Sequence, residues 1–205
     1  MKKENDIFEA VIEGVAQQAH HLQDHGNHDG VLEPCTLVII GASGDLTARK
    51  LVPALYTLSL HNGLPYPFVI VGCSRTALSD DEFRERMKKA LSRDVAVDQA
   101  KWEAFSRHLF YHHVEYDDLS AYMSLAKRLD VLDEKFKIEG RRIFYLAIPP
   151  TLYETTARML GQASLSREDA ERGTWSRIVV EKPFGRDLAS AKALNRRLLE
   201  HWEED

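Results

Sequence analysis

Two glycines, an acid and two cations follow a short uncharged run in the sequence TLVIIGASGDLTARKL (36–51). Glycine lets an anion approach the backbone without a Cβ in the way, and the free N–H groups at a helix N-terminus bind phosphate. Gly41 and Gly44 have the spacing G-x-x-G, whereas the usual dinucleotide pattern is G-x-G-x-x-G. Thr47 stands where a third small residue would let helix and strand pack. By its spacing alone, this turn is a candidate phosphate-binding turn.

The cations Arg49 and Lys50 lie near the predicted start of a helix. The helix dipole disfavours positive charge there, by a few tenths of a kcal/mol to about 1 kcal/mol. A bound polyphosphate would reverse the sign of that interaction, but two solvated side chains screened by salt explain the same residues. Both interpretations stay open on charge alone. The run after the strand lacks G-x-x-x-x-G-K, which excludes a P-loop at this position.

The residues after the second apolar run, FVIVGC (68–73), bear on which dinucleotide would bind. NAD enzymes usually place an acid at the end of this strand to bind the ribose 2′-hydroxyl. Here Ser74 and Arg75 follow, and there is no acid. A hydroxyl and a guanidinium suit a 2′-phosphate, which arginine can bind through two parallel hydrogen bonds. The sequence therefore favours NADP, although a surface arginine at a strand end is the alternative.

These residues need a scaffold, and the rest of the chain predicts one. Short apolar runs alternate with helical patterns, which is typical of a parallel sheet covered by helices on both faces. The predicted strands are 36–40, 68–73, 109–114, 143–148 and 177–182, and the predicted helices are 46–60, 79–93, 118–134, a segment ending near 160, and 187 to the end. The predicted class is α/β, a doubly wound, mostly parallel, Rossmann-like dinucleotide-binding domain. It would span 34–205, after an N-terminal extension (1–33) made of a helix and a polar linker.

Composition excludes several other classes of protein. The formal net charge of −5 and the pI near 6.0 give no basic field for nucleic acid. No apolar run is long enough to cross a bilayer, and an N-terminus that mixes acids with apolar residues predicts a cytoplasmic protein. Cys35 and Cys73 are predicted to be reduced, packed thiols. No metal site is expected, because the four histidines of the linker lack a compact ligand spacing: His20, His21, His25 and His28.

Four motifs, in order along the chain, resemble glucose-6-phosphate dehydrogenase. They are GASGDLTARKLVPALYTL, FVIVGCSR, RRIFYLAIPPTLYE and RIVVEKPFGRDLASAKALN. The resemblance implies the coenzyme domain of that family. The implied reaction is oxidation of glucose 6-phosphate at C1 to the lactone with NADP⁺ as hydride acceptor, the opening step of the oxidative pentose phosphate pathway. The full-length enzyme is expected to be a homo-oligomer.

The resemblance also implies roles for single residues. The pyrophosphate would be cradled by Gly41, Ala42, Ser43, Gly44, Asp45, Leu46 and Thr47. Arg75 would hold the 2′-phosphate, and Tyr153 would line the coenzyme cleft. Lys182 would contact both coenzyme and substrate oxygens, aimed by a cis bond to Pro183. Physical reasoning supports Lys182 separately, because a lysine at the end of a buried strand needs an anion or carboxylate; a snorkelling side chain is the alternative.

The motif R-I-D-H-Y-L-G-K-E, near which the family has its general-base histidine, does not occur in these 205 residues. Oxidation of a hydroxyl needs its proton removed in or near the hydride-transfer step. We therefore expect no catalytic residue in this chain and no activity from it alone. The substrate domain, and with it the oligomerisation surface, would lie beyond residue 205.

The sequence also bears on two other functions. A stand-alone NADP-binding module without chemistry is compatible with the same residues. A short-chain dehydrogenase is disfavoured, because none of the seven tyrosines has a lysine four residues on.

Overall fold

The computed structural model describes residues 33–93 and 96–203. Its five strands form one sheet in the order β3-β2-β1-β4-β5, and every neighbouring pair is parallel. The strands are β1 (Cys35–Ile40), β2 (Phe68–Ser74), β3 (Leu109–His113), β4 (Arg142–Leu146) and β5 (Ser176–Val180). The predicted doubly wound, Rossmann-like sheet is confirmed. Its strand order reverses between β1 and β4, which is where this fold binds its ligands.

Helices follow the strands on both faces of the sheet. The α-helices are α1 (Val52–Leu60), α2 (Asp80–Leu91), α3 (Gln99–Ser106), α4 (Leu119–Phe136), α5 (Tyr153–Gln162) and α6 (Leu188–Leu198). A π-helical turn, Thr47–Leu51, leads into α1, and Pro53 lies in the first turn of α1, as predicted. Helix α3 was not predicted; Asp98 caps its N-terminus by accepting a hydrogen bond from the Lys101 N–H.

Two apolar cores lie on the two faces of the sheet, because alternate strand residues point to opposite faces. Val38 and Ile40 pack on one face with residues of α4 and α5. Ile39 packs on the other face with residues of α1, α2 and α3. Both cysteines are free, and burial raises the pKa of each thiol, so they are packed thiols as predicted.

Several predicted boundaries differ from the structure, and three of the differences have an identifiable cause. Strand β4 ends at Leu146, two residues before the predicted end, ahead of prolines that have no N–H for the ladder. Strand β5 ends at Val180, because the Glu181 N–H donates to the Tyr153 hydroxyl (3.3 Å). Helix α6 ends at Leu198, and the chain then turns so that Trp202 packs against Phe144, with ring centroids 5.8 Å apart.

The predicted N-terminal helix and the histidine-containing linker lie outside the described residues. The division into an extension and a coenzyme domain therefore stays a prediction.

Candidate functional site

The glycine turn, residues 41–47, lies at the carboxyl edge of the sheet, directly after β1. The N–H groups of Gly41 and Ala42 both donate to the Cys73 carbonyl at the end of β2 (2.7 and 3.0 Å). Gly41 has φ +97°, and a Cβ there would lie 2.2 Å from the Ala147 carbonyl oxygen. Only glycine fits this conformation and this close approach. The turn is thereby locked against the ends of both neighbouring strands.

The amides of the turn divide into two groups. Besides Gly41 and Ala42, the Gly44 N–H is used internally, donating to the Gly41 carbonyl (2.9 Å). Four N–H groups have no backbone or side-chain acceptor among the described residues: Ser43, Asp45, Leu46 and Thr47. The first N–H groups of a helix are left unpaired in this way, and they carry its positive dipole end. Within the predicted set Gly41–Thr47, these are the groups that can receive an anion.

Thr47 was predicted both to pack between helix and strand and to belong to the pyrophosphate cradle. Its side chain is fully buried, and its hydroxyl has no hydrogen-bond partner among the described residues. A buried hydroxyl without a partner is costly, by about 1–3 kcal/mol. The turn therefore contains one unpaired polar side chain beside four unpaired amides.

The first of the two cations after the turn, Arg49, has an acidic neighbour. Arg49 lies 3.8 Å from Asp45, one helical turn earlier, and both side chains are largely exposed. Such exposed pairs contribute little to stability. A solvated side chain, without a bound polyphosphate, therefore suffices to explain Arg49.

Arg75 directly follows β2 at the same edge of the sheet, as predicted. Its exposed guanidinium lies 5.3 Å from the centroid of the Tyr116 ring. No carboxylate of the described residues lies within 4.0 Å of it. The preceding Ser74 hydroxyl is bonded to the Tyr111 hydroxyl (2.6 Å), which fixes the end of the strand. Arg75 is thus positioned by an aromatic ring while its charge stays open to an anion.

Lys182 lies two residues beyond β5 and is exposed, so it does not end a buried strand as predicted. Its bond to Pro183 is cis, as predicted. The preceding Glu181 carboxylate accepts a hydrogen bond from the Tyr145 hydroxyl. Burial, that hydrogen bond and the charge of Glu181 raise the pKa of Tyr145, so its hydroxyl stays a donor. Glu181 is therefore held by β4 and does not form an ion pair with Lys182.

Tyr153 does not line an open cleft, because its side chain is only 1 % exposed. Its hydroxyl contacts the backbone N–H and carbonyl of Glu181 (3.3 and 3.4 Å). Its observed contribution is to hold the segment that carries Lys182. Tyr145 makes a second contact to that segment, and sequence reasoning missed it; the alternation of IFYL in β4 does not indicate a partner 36 residues away.

Sequence reasoning also missed Arg86. This exposed arginine of α2 donates from Nη2 to the Ser43 carbonyl (2.9 Å), and so ties the helix to the glycine turn.

The structure brings Gly41–Thr47 and Arg75 together at adjacent strand ends, and places Lys182 at the same edge beyond β5. Because β4 lies between β1 and β5, Lys182 is about 10 Å across the sheet from the turn, two strand spacings. An extended dinucleotide spans such a distance. The arrangement suits a ligand with phosphates at the turn and a reacting end near Lys182.

Residues 38–205 match the family described as "Glucose-6-phosphate dehydrogenase, NAD binding domain". The chain belongs to this family. It is 43 % identical over 175 residues to glucose-6-phosphate 1-dehydrogenase of Chlamydia pneumoniae, and 42 % identical over 172 residues to that of Aggregatibacter actinomycetemcomitans. Each comparison covers 84 % of this chain and 34 % of the relative. The chain thus spans about a third of the length of these glucose-6-phosphate dehydrogenases, which are oxidoreductases.

Solved structures of the family have the same fold. A glucose-6-phosphate dehydrogenase in complex with its substrate glucose-6-phosphate has a TM-score of 0.73 and 34 % identity, over 83 % of this chain and 35 % of that one. The enzyme from Mycobacterium avium has a TM-score of 0.69 and 31 % identity, over 82 % and 34 % of the two chains. The described residues contain no helix able to cross a membrane and no cluster of potential metal ligands.

Proposed function

We propose that this chain is the NADP-binding part of a glucose-6-phosphate 1-dehydrogenase, with its coenzyme domain at 34–205. The observation that carries the proposal is the set of four unpaired amides and one unpaired hydroxyl in the glycine turn. A pyrophosphate would satisfy amides of Ser43, Asp45, Leu46 and Thr47. Gly41 lets the turn pack against the Ala147 carbonyl, and Gly44 keeps a Cβ atom out of the ligand's way. A cytoplasmic location stays a prediction from the N-terminal sequence.

The preference for NADP over NAD rests on Arg75. Its guanidinium is free of carboxylate partners in the described part of the chain, and no acid follows β2 to bind a ribose 2′-hydroxyl. A 2′-phosphate would accept hydrogen bonds from the guanidinium, and the Tyr116 ring would hold the side chain in place.

Lys182 is proposed to bind oxygens of glucose 6-phosphate beside the nicotinamide. When bound, NADP⁺ accepts the hydride from C1, and the C1 hydroxyl loses its proton to a base as the lactone forms. Lys182, held through Glu181, Tyr145 and Tyr153, would orient the sugar and stabilise its negative charge. In the full-length enzyme the base, further substrate contacts and homo-oligomerisation would come from residues outside the coenzyme domain.

Calorimetric titration with NADP⁺ and NAD⁺ tests the coenzyme assignment. A charge-assisted hydrogen bond contributes about 1.5–3 kcal/mol, so Arg75→Ala is expected to weaken NADP⁺ binding about 10–100-fold and NAD⁺ binding less than about twofold. Arg107→Ala is the matched control, because Arg107 is also exposed but precedes β3 at the opposite edge of the sheet. Equal losses for both coenzymes would contradict the role of Arg75, and no binding by the unmodified chain would contradict the proposal itself.

A rate assay with glucose 6-phosphate and NADP⁺ tests whether this chain contains the general base. We expect no turnover by the 205-residue chain, because no motif in it supplies the general base. Turnover at the rate of an ordinary enzyme would show that the chain carries its own base.

A further inference from the structure

Arg86 is the one cation of the described residues that hydrogen-bonds the glycine turn itself. It lies on α2, and its Nη2 is 2.9 Å from the carbonyl oxygen of Ser43. A guanidinium has five N–H donors, and this contact uses one of them. The rest of the group is exposed to solvent and can bind a second partner.

The charge of Arg86 also acts on a hydroxyl at the end of β2. Burial raises the pKa of the Tyr111 hydroxyl, whereas the Ser74 hydrogen bond and the positive charge of Arg86 oppose that shift. The same hydroxyl donates to the Thr76 carbonyl (2.5 Å) and is bonded to the Ser74 hydroxyl. Ser74 and Thr76 flank Arg75. The bond to Ser43 places Arg86 at the glycine turn, and that turn is itself bonded to the Cys73 carbonyl, two residues before Arg75.

The charge of Arg86 is not neutralised by the described residues. No carboxylate among them lies within 4.0 Å of its guanidinium. Arg84 on the same helix is a useful contrast, because it donates to Asp81 (2.8 Å) and to the Leu109 carbonyl (2.9 Å). The Arg84 guanidinium is bonded to two acceptors of the protein. The Arg86 guanidinium has unused N–H donors, and its charge has no carboxylate partner among the described residues.

We propose that Arg86 is a second specificity-determining residue, which binds the coenzyme's 2′-phosphate together with Arg75. This inference rests on the proposed NADP-binding function and adds a residue from a different element to it. Two guanidiniums on one phosphate dianion share its charge and direct several N–H donors at its oxygens. The bond to Ser43 fixes Arg86 to the turn, so that the sites for the pyrophosphate and the 2′-phosphate keep a fixed position relative to each other.

The test compares two small probes that differ only in the 2′-phosphate, adenosine 2′,5′-bisphosphate and 5′-AMP. Calorimetric titration of Arg86→Gln is expected to weaken the bisphosphate about tenfold or more and 5′-AMP less than about twofold. Lys89→Gln is the matched control, because it removes the same charge one helical turn away, and both affinities should stay within about twofold. Thermal unfolding of each variant checks that α2 is intact.

The outcomes separate the inference from the function on which it rests. Equal losses for both probes would show that Arg86 only holds the Ser43 carbonyl, and unchanged affinities would show that it takes no part; either overturns the inference. If the unmodified chain binds NADP⁺ with the Arg75 dependence described above, the proposed function survives both results. If the unmodified chain binds neither NADP⁺ nor the bisphosphate, the proposed function and the inference fail together.

Discussion

Two segments of the candidate site, the glycine turn (41–47) and the segment that carries Lys182 (181–187), share one backbone feature in different surroundings. Each contains a glycine with positive φ packed against backbone. A Cβ on Gly41 would lie 2.2 Å from the Ala147 oxygen, and a Cβ on Gly185 (φ +84°) would lie 2.5 Å from the Ala191 nitrogen. Gly41 is buried between strands, whereas the segment around Gly185 is largely exposed and leads into a helix whose Leu188 is 71 % exposed.

The two halves of the site differ in what holds them in place. The turn is held by the ends of β2 and β4, which belong to the central sheet. The Lys182 segment is held through side chains, those of Tyr145 and Tyr153, and by the cap of α6. The first half should therefore keep its shape wherever the sheet is folded, and the second should open more easily.

Gly41→Ala should give the largest effect. Strain at positive φ costs about 1–3 kcal/mol, and the clash with a central-sheet carbonyl adds to it, so we expect unfolding free energy to fall by about 3 kcal/mol. Urea denaturation measures this, and NADP⁺ titration should show lost binding. Gly44→Ala is the control within the same turn, because its Cβ would meet only the Gly41 oxygen at 3.1 Å. A Gly41→Ala chain as stable as the unmodified one would contradict the locked turn.

Gly185→Ala carries similar strain and should cost less. The exposed segment can shift, so we expect a loss of about 1–2 kcal/mol, with NADP⁺ binding at the turn retained. Urea denaturation beside Gly41→Ala makes the comparison direct. If Gly185→Ala destabilised the chain as much as Gly41→Ala, the two halves would be equally rigid and the contrast would be wrong.

Asp187→Ala tests the cap of α6. The Asp187 carboxylate accepts from the Ser190 N–H (2.8 Å), and the Ser190 hydroxyl accepts from the Asp187 N–H (3.0 Å). Loss of such a cap costs about 1 kcal/mol. Denaturation should show that loss, with Asp187→Asn retaining most of the stability. A much larger loss would mean that α6 matters more to the sheet than its single buried residue, Leu198, indicates.

Tyr145→Phe should give the smallest change. It removes the donor to Glu181 but keeps the ring, so we expect a cost of about 0.5–1.5 kcal/mol. Amide hydrogen exchange should accelerate in 181–185 and stay unchanged in 41–47. Faster exchange in both segments would indicate that the two halves of the site open together.

The sequence predicted the elements with strong local signals. Strand β1 and its turn were found because an uncharged run meets glycine, and the start of α2 because Ser79 heads an acidic first turn; the structure shows a capping box there. Helix α3 was missed although Asp98 stands at its cap and Trp102 and Phe105 lie three residues apart on its buried side. The cap residue and the apolar spacing together were sufficient to predict this helix.

The missed and misplaced parts of the site depend on contacts between distant residues. Nothing local in the sequence shows that Arg86 reaches Ser43, 43 residues away, or that Tyr153 is buried by bonding Glu181. The end of β5 was misplaced for the same reason, since the N–H that would have continued the ladder is taken by that tyrosine. Local patterns place strand ends to within a residue or two, and long-range hydrogen bonds decide them.

The central claim is that the amides of the glycine turn receive a pyrophosphate at the carboxyl edge of the sheet. An ¹H–¹⁵N spectrum of the 205-residue chain titrated with NADP⁺ tests it most directly. We expect the largest shifts at Ser43, Asp45, Leu46, Thr47 and Arg75, with His108 at the amino edge unchanged. Saturable binding that leaves the amides of 43–47 unmoved, or that shifts residues at the amino edge instead, would contradict it.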